Sequence, residues 1–253
     1  MRPGFIIFHL LLLTTISAAQ KIRTGEVNFY AFDQNWKPCD AEMAKYLGCL
    51  EKLNDSCYQW KYYHFEGPLI SIETYRDPDA AVPHGYFAFF DANGNLDSAG
   101  TVFEGRRHEK WHYYTDTFSV WQVLEYEKGI LIKKKDHTEL EAERKRNEAE
   151  PLWPDDKEAV FKGGLKAWLK YLEKNLVYPD RALQLQKSGQ VRILFTVNSD
   201  GSLTDLKIQR SVEYSLDNEA LRLIRRSPKW EPAFQDGRKV KAYRVQPLTF
   251  AGH

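Results

Sequence analysis

Between residues 20 and 132 the sequence keeps returning to one pattern, aromatic and polar residues in alternation followed by a short turn. A period of two puts successive side chains on opposite faces, the signature of a half-buried strand. Gly85-Tyr86-Phe87-Ala88-Phe89-Phe90-Asp91 runs into Ala92-Asn93-Gly94-Asn95, and an Asn-Gly pair between alternating segments is a strong hairpin signal. The return strand is Leu96 to Phe103, Glu104-Gly105 turns again, and a third strand carries Trp111-His112-Tyr113-Tyr114. Val123 to Tyr126 and Gly129 to Ile132 form a further hairpin. Strands joined by such short turns can only pair with their neighbours in antiparallel fashion, so this part is expected to be a meander.

The pattern also echoes itself. Trp60-Lys61-Tyr62-Tyr63 matches Trp111-His112-Tyr113-Tyr114, and Tyr30-Ala31-Phe32-Asp33 matches Phe87-Ala88-Phe89-Phe90-Asp91. Units of this kind bury a face only by stacking on a neighbour. Together with Gly105, these residues resemble the MORN-type repeats of exported bacterial proteins. Glu109-Lys110 stands where such repeats usually have a glycine before the tryptophan. The resemblance implies architecture rather than activity.

From Glu158 onward the periodicity changes. Leu165, Trp168, Leu169, Leu172 and Leu176 share a helical face, and Tyr178-Pro179 ends that helix. Arg181 to Ser188 reads as a short helix closed by Gly189. Val191, Ile193, Phe195 and Val197 alternate as a strand; Asn198 to Gly201 turns it, and Leu206 and Ile208 lie on the return. Ser215 is placed to cap a helix with Leu216, Ala220, Leu223 and Ile224 inward, broken at Ser227-Pro228. A last strand is expected from Lys239 to Phe250. The order α-α-β-β-α-β predicts a small α+β unit with a three-stranded antiparallel sheet.

That order, with these residues, resembles the TonB C-terminal domain family. The matching blocks are Phe161-x-Gly163-Gly164, Asn175-Leu176-x-Tyr178-Pro179, Gly189-Gln190-Val191, Phe195-x-Val197-x-x-Asp200-Gly201, Asp205 to Ser211, Leu216-Asp217-x-Glu219-Ala220-Leu221 and Pro228-Lys229-Trp230-x-Pro232. The resemblance implies binding by strand addition, because an edge strand presents unpaired backbone N–H and C=O groups to an extended peptide. In the family the last strand receives a short segment of an outer-membrane transporter. Carried across, the docking residues are Val240, Lys241, Ala242, Tyr243, Arg244, Val245, Gln246 and Leu248, with Tyr178 and Pro179 beside them. The implied partners are an outer-membrane TonB-dependent transporter or another envelope protein, and an inner-membrane motor complex if the N-terminus stays uncleaved. The alternative is an envelope adaptor that binds partners and drives no transport. Phe195 and Trp230 are expected in the core.

The N-terminus reads as an export signal. Arg2 precedes an apolar run from Phe5 to Ile16, and Ser17-Ala18-Ala19 supplies the small residues of a cleavage site before Gln20. The run is shorter than the roughly 20 residues a spanning helix needs, so cleavage is the expectation and an uncleaved anchor its rival. The expected location is the periplasm of a Gram-negative bacterium. The expected organisation is a signal at 1–19, an aromatic β part at 20–132, a charged linker at 133–157 and the TonB-like part at 158–253. Within the linker, Lys133 to Glu150 carries i,i+4 pairs such as Glu141/Lys145, Arg144/Glu148 and Arg146/Glu150, which suit a solvated helix.

A net charge of +1 at pH 7 removes the basic field that nucleic-acid binding draws on. Cys39, Cys49 and Cys57 do not have zinc-site spacing; a turn at Leu53-Asn54-Asp55 would let Cys49 and Cys57 pair, and three thiols is the other reading. His108-Glu109-Lys110-Trp111-His112 has the His-Glu-x-x-His spacing of zinc hydrolases, but that motif chelates only on a helix. Set among strands, its two imidazoles would stand about 13 Å apart. No phosphate-binding glycine loop or nucleophile elbow is present. The sequence therefore implies no enzyme, no metal and no cofactor.

Overall fold

The structure, a computed structural model, describes residues 23–148 and 156–252. The candidate export signal and the segment that follows the linker helix lie outside the described residues. The fold is α+β, with a long antiparallel meander followed by a smaller part built on a three-stranded sheet.

The meander has nine strands in chain order: β1 (Val27–Phe32), β2 (Tyr46–Asn54), β3 (Cys57–His64), β4 (Leu69–Tyr75), β5 (Pro83–Phe90), β6 (Leu96–Phe103), β7 (Arg106–Tyr114), β8 (Val120–Glu127) and β9 (Ile130–Lys135). The echo in the sequence has a geometric counterpart. Trp60 lies on β3 and Trp111 on β7, both almost wholly buried, while Tyr30 to Phe32 lie on β1 and Phe87 to Phe89 on β5. Each tryptophan lies against a glycine on the preceding strand. A Cβ on Gly100 would come within 2.5 Å of the Trp111 ring, and one on Gly48 within 3.0 Å of the Trp60 ring. Trp60 stacks on Tyr62 at 5.4 Å, and Phe89 on Trp111 at 6.3 Å, so the rings fill this face themselves.

Register decides the cysteines. Cys49 opposes Lys61 and Cys57 opposes Asn54, because the hairpin turns at Asp55-Ser56, one residue later than expected. All three cysteines are free. His108 to His112 lies within β7, so the two imidazoles do not share a helical face. The charged run begins inside the sheet, since Lys133 to Lys135 belong to β9. It continues as α1 (His137–Glu148), which packs against β8 and is tied back by an ion pair between Lys135 and Glu143.

The rest of the chain comprises α2 (Gly164–Asn175), α3 (Asp180–Gln184), β10 (Gly189–Val197), β11 (Leu203–Arg210), α4 (Tyr214–Arg226), β12 (Ala233–Gln235), β13 (Arg238–Val240) and β14 (Ala242–Phe250). The main sheet has the order β11-β10-β14, all antiparallel. Val191, Ile193, Phe195 and Val197 are fully buried under α4, as their alternation required. Phe195 and Trp230 are core residues with rings 5.0 Å apart.

Three expectations are corrected. The face of α2 that packs is Trp168 with Tyr171, stacked with each other and set against Phe161; Leu165 and Leu169 are 72% and 56% exposed. Helix α4 is capped by Glu213, whose carboxylate accepts from Ser215 N, rather than by Ser215. The last strand is not continuous from Lys239. Asp236 and Gly237 both take positive φ and make a two-residue hairpin turn, so Arg238–Val240 pairs with β12 and β14 starts afresh at Ala242.

The second face of the meander packs on this C-terminal part, with Leu47, Tyr63, Leu69 and Ile72 in one core with Ile208, Leu216 and Ala220. Gly94, in the β5–β6 turn, is needed twice over. Its φ is +77°, a Cβ there would come 2.4 Å from the Ser211 carbonyl oxygen, and Ser211 N donates to the Gly94 carbonyl oxygen at 2.8 Å. Across the same seam Leu69 N donates to Ser211 Oγ at 2.8 Å, and Arg181 donates to the Phe65 carbonyl and stacks over its ring.

Candidate partner-docking edge

The three-stranded sheet has two outer strands with different surroundings. At the β11 side, Arg210 makes a bridge to Asn95 of the meander, and the pairing with β10 shifts register twice along its length. Bulges and a covered end are common means of protecting an edge. β14 pairs with β10 through nine consecutive residues without a shift, and among the described residues no strand pairs with its other side.

Pro247 fixes which backbone groups face that open side. It sits opposite Arg192 in an unbroken ladder although it has no N–H to give. A proline inside a strand belongs where the missing donor would have pointed away from the partner strand. Backbone direction alternates along a strand, so Tyr243 and Val245 point their N–H and C=O groups outward in the same sense, while Ala242, Arg244 and Gln246 turn theirs to β10. Two outward donors therefore precede Pro247, and the ladder they offer stops there.

A groove of about 650 Å³ runs beside this stretch. Its walls are Val240 to Val245, Ala233 to Gln235 of β12, and residues 156–159. That last segment is held on β12 by a pair of backbone bonds between Lys157 and Phe234, followed by a second pair between Val160 and Glu231 just outside it. Arg244 reaches across to Glu158 at 2.6 Å, a pair with a largely exposed carboxylate. Lys241 lies 3.8 Å from Asp205. Such exposed pairs contribute little to stability, about 0–1 kcal/mol, but they leave charges of both signs along the groove. Tyr243 stands 77% exposed on the outer face, whereas Leu248 and Phe250 turn inward and are buried.

The residues expected to form one docking surface are thus divided. Val240, Lys241, Ala242, Tyr243, Arg244 and Val245 line the groove, with Val240 and Lys241 outside β14 itself; Gln246 and Leu248 do not line it. Tyr178 packs at the far end of β14, its ring 6.0 Å from Phe250 and its hydroxyl donating to Lys187 O at 2.6 Å. Pro179 precedes α3 and lines a different cleft with Arg222, Arg225 and Arg226 of α4. Phe234 and the 156–159 wall were missed in the sequence reading. The Asp236-Gly237 pair was the signal that could have revealed the hairpin carrying Phe234.

Residues 174–251 match the family model described as Gram-negative bacterial TonB protein C-terminal. These residues belong to the TonB C-terminal family. An NMR solution structure of the Helicobacter pylori TonB C-terminal domain matches with 27% sequence identity, over 33% of this chain and 75% of that one, at a TM-score of 0.26. No curated protein matches the chain. The TonB-like match takes in α3, α4 and the whole β11-β10-β14 sheet with its open edge. Among the described residues no helix is long and apolar enough to cross a membrane, and no group of three or more His, Cys, Asp or Glu is placed to hold a metal.

Proposed function

We propose that this chain is a TonB-like protein of the Gram-negative cell envelope, and that it binds an extended segment of an outer-membrane TonB-dependent transporter, or of a similar envelope partner, as a fourth strand beside β14. The observation that carries the reading is the open side of β14, with Tyr243 and Val245 directing backbone groups into a groove while the opposite edge of the sheet is bulged and capped by the meander. Each backbone hydrogen bond gained contributes on the order of 1 kcal/mol net, so two outward residues supply affinity but need side-chain contacts as well. Tyr243 on the outer face and Phe234 in the groove wall are placed to supply them.

A second reading, a non-energised adaptor, is favoured by the way the TonB-like part sits. It is bonded directly to the meander through Ser211 and Arg181 rather than standing off it on a spacer. On this reading the grip on a partner strand is the same and no transport is driven.

The test separates grip from fold. Val245→Pro removes an outward donor and leaves the β10 ladder intact, whereas Arg244→Pro removes a donor turned to β10. By fluorescence anisotropy with a labelled transporter-derived peptide, Val245→Pro is expected to weaken binding at least tenfold while keeping the wild-type melting temperature within a few degrees. Wild-type affinity in a folded Val245→Pro variant would rule out addition at this edge. For the choice between readings, restored uptake when the chain replaces a transporter's energising partner supports the transducer, and peptide binding without uptake supports the adaptor.

A further inference from the structure

Between the meander and the TonB-like sheet lies a second, smaller crevice of about 160 Å³. It is bounded by β5, β6 and β7 on one side and by β10 and β11 on the other. The polar groups in its walls include Lys110, His112, Tyr86, Tyr114, Lys207 and Gln209, and none of its lining residues is acidic. Lys110 and His112 come from the meander and Lys207 from β11, so cationic groups converge on one space from both parts of the chain.

Neither lysine makes an ion pair within 4 Å among the described residues; desolvation lowers the Lys207 pKa, and the nearby Asp205 charge acts the other way. Lys207 lies over the Tyr86 ring at 4.5 Å. Across the strands from Lys110 is Glu125, which also opposes Lys133, and no ion pair within 4 Å joins it to either. His112 reports the field in the crevice. Burial holds its pKa below the ordinary histidine value, and the Lys110 and Lys207 charges lower it further, with no carboxylate acting in the opposite direction. Both lysine residues are solvent-exposed at the rim of this space, free to turn toward an anion entering it, and charge-assisted hydrogen bonds to an oxyanion are among the stronger contacts a protein makes.

We propose that this crevice binds a compact oxyanion of the phosphate class, held between Lys110 and Lys207 with the His112 imidazole and the tyrosine hydroxyls as further donors, and that the anion braces the seam between the two parts. The volume suits a single phosphoryl group and excludes a nucleotide or a lipid chain. Binding is independent of the β14 edge, which opens on a different groove with no lining residue in common.

The test uses the full chain and inorganic phosphate, titrated calorimetrically at constant ionic strength with chloride as the balancing salt. One phosphate per chain is expected, together with a rise in the His112 pKa seen in imidazole NMR shifts, because an anion reverses the influence of the two lysines. Lys110→Met, which leaves the Lys207 contact with Tyr86 in place, is expected to weaken phosphate binding at least tenfold at an unchanged melting temperature without phosphate. Lys110→Met/Lys207→Met is expected to abolish it. Glycerol 3-phosphate serves as the second probe: binding of both assigns a phosphomonoester, and binding of inorganic phosphate alone assigns the free ion. Heat indistinguishable from chloride, or wild-type phosphate affinity in both lysine variants, would overturn the proposal.

Discussion

The carboxyl of Asp217 offers a quantitative test of how the two parts are joined. It is wholly buried in the first turns of α4, where it accepts from Ser211 Oγ and, at 3.0 Å, from Val212 N. Burial raises its pKa from the ordinary 3.8 to about 7; the bonds from Ser211, Val212 and Tyr63 pull it down, and the neighbouring Glu213 charge pushes it up. Glu213 itself is paired with Arg181 at 2.6 Å. The folded chain therefore binds a proton that the unfolded chain releases between about 3.8 and about 7. Stability tied to the neutral carboxyl is complete below the unfolded value and is lost as pH rises through about 7. A gap of that size corresponds to roughly 4 kcal/mol in full, of which about 2 kcal/mol falls between pH 5.5 and 8. For a chain of this length that is a drop of roughly 4–8 °C in melting temperature across the interval. Asp217→Asn keeps an oxygen for Val212 N and offers Ser211 an N–H, so the variant should melt at nearly the same temperature at both pH values. Differential scanning calorimetry of the two proteins in matched buffers measures the difference. An equal pH slope in wild type and Asp217→Asn would refute a neutral buried carboxyl at this seam.

Two further outcomes follow from particular contacts. Gly94→Ala forces a Cβ to within 2.4 Å of the Ser211 oxygen at a φ of +77°, and is expected to lower stability by roughly 2 kcal/mol or more in urea unfolding; an alanine tolerated without loss would mean the turn does not press on the seam. Burial pushes the Cys49 thiol up to about 12, so at pH 8 iodoacetamide should alkylate the more accessible Cys39 and Cys57 well before Cys49 in the folded chain, as mass spectrometry of labelled peptides would report.

What the sequence made legible was what depends on short-range periodicity. The hairpin from Gly85 to Phe103, the Trp60 and Trp111 echo and the alternation from Val191 to Val197 each state their own structure, because a strand with one buried face must alternate. The TonB-like blocks placed the three-stranded antiparallel sheet. The failures divide between tertiary packing and local signals that were passed over. Leu165 and Leu169 share a helical face with Trp168, but the ring contacts of Trp168 and Tyr171 with Phe161 set which side of α2 packs, and the leucines face solvent. The break at Lys241 was written in Asp236-Gly237, whose hairpin competes with a long last strand for Arg238 to Val240. Nothing local to Gly94 says that its turn meets Ser211, more than a hundred residues further along the chain, because alternation carries no information about which surface a finished sheet will meet. Of the last-strand residues named from the sequence, Val240 to Val245 line the groove beside the open side of β14 and Gln246 and Leu248 do not, a division that depends on which way each peptide faces around Pro247.

The glycine beneath each buried tryptophan has an evolutionary consequence. Gly48 with Trp60 and Gly100 with Trp111 are two solutions to the same packing problem between neighbouring strands, the first with Phe32 of β1 also against the glycine. A sheet assembled from such cassettes can be lengthened or shortened by duplication or loss of a whole cassette without redesign of the others. The turn that carries Gly94 leads directly into the strand of Gly100, so that cassette adjoins the seam as well as its own tryptophan and is the one least open to loss.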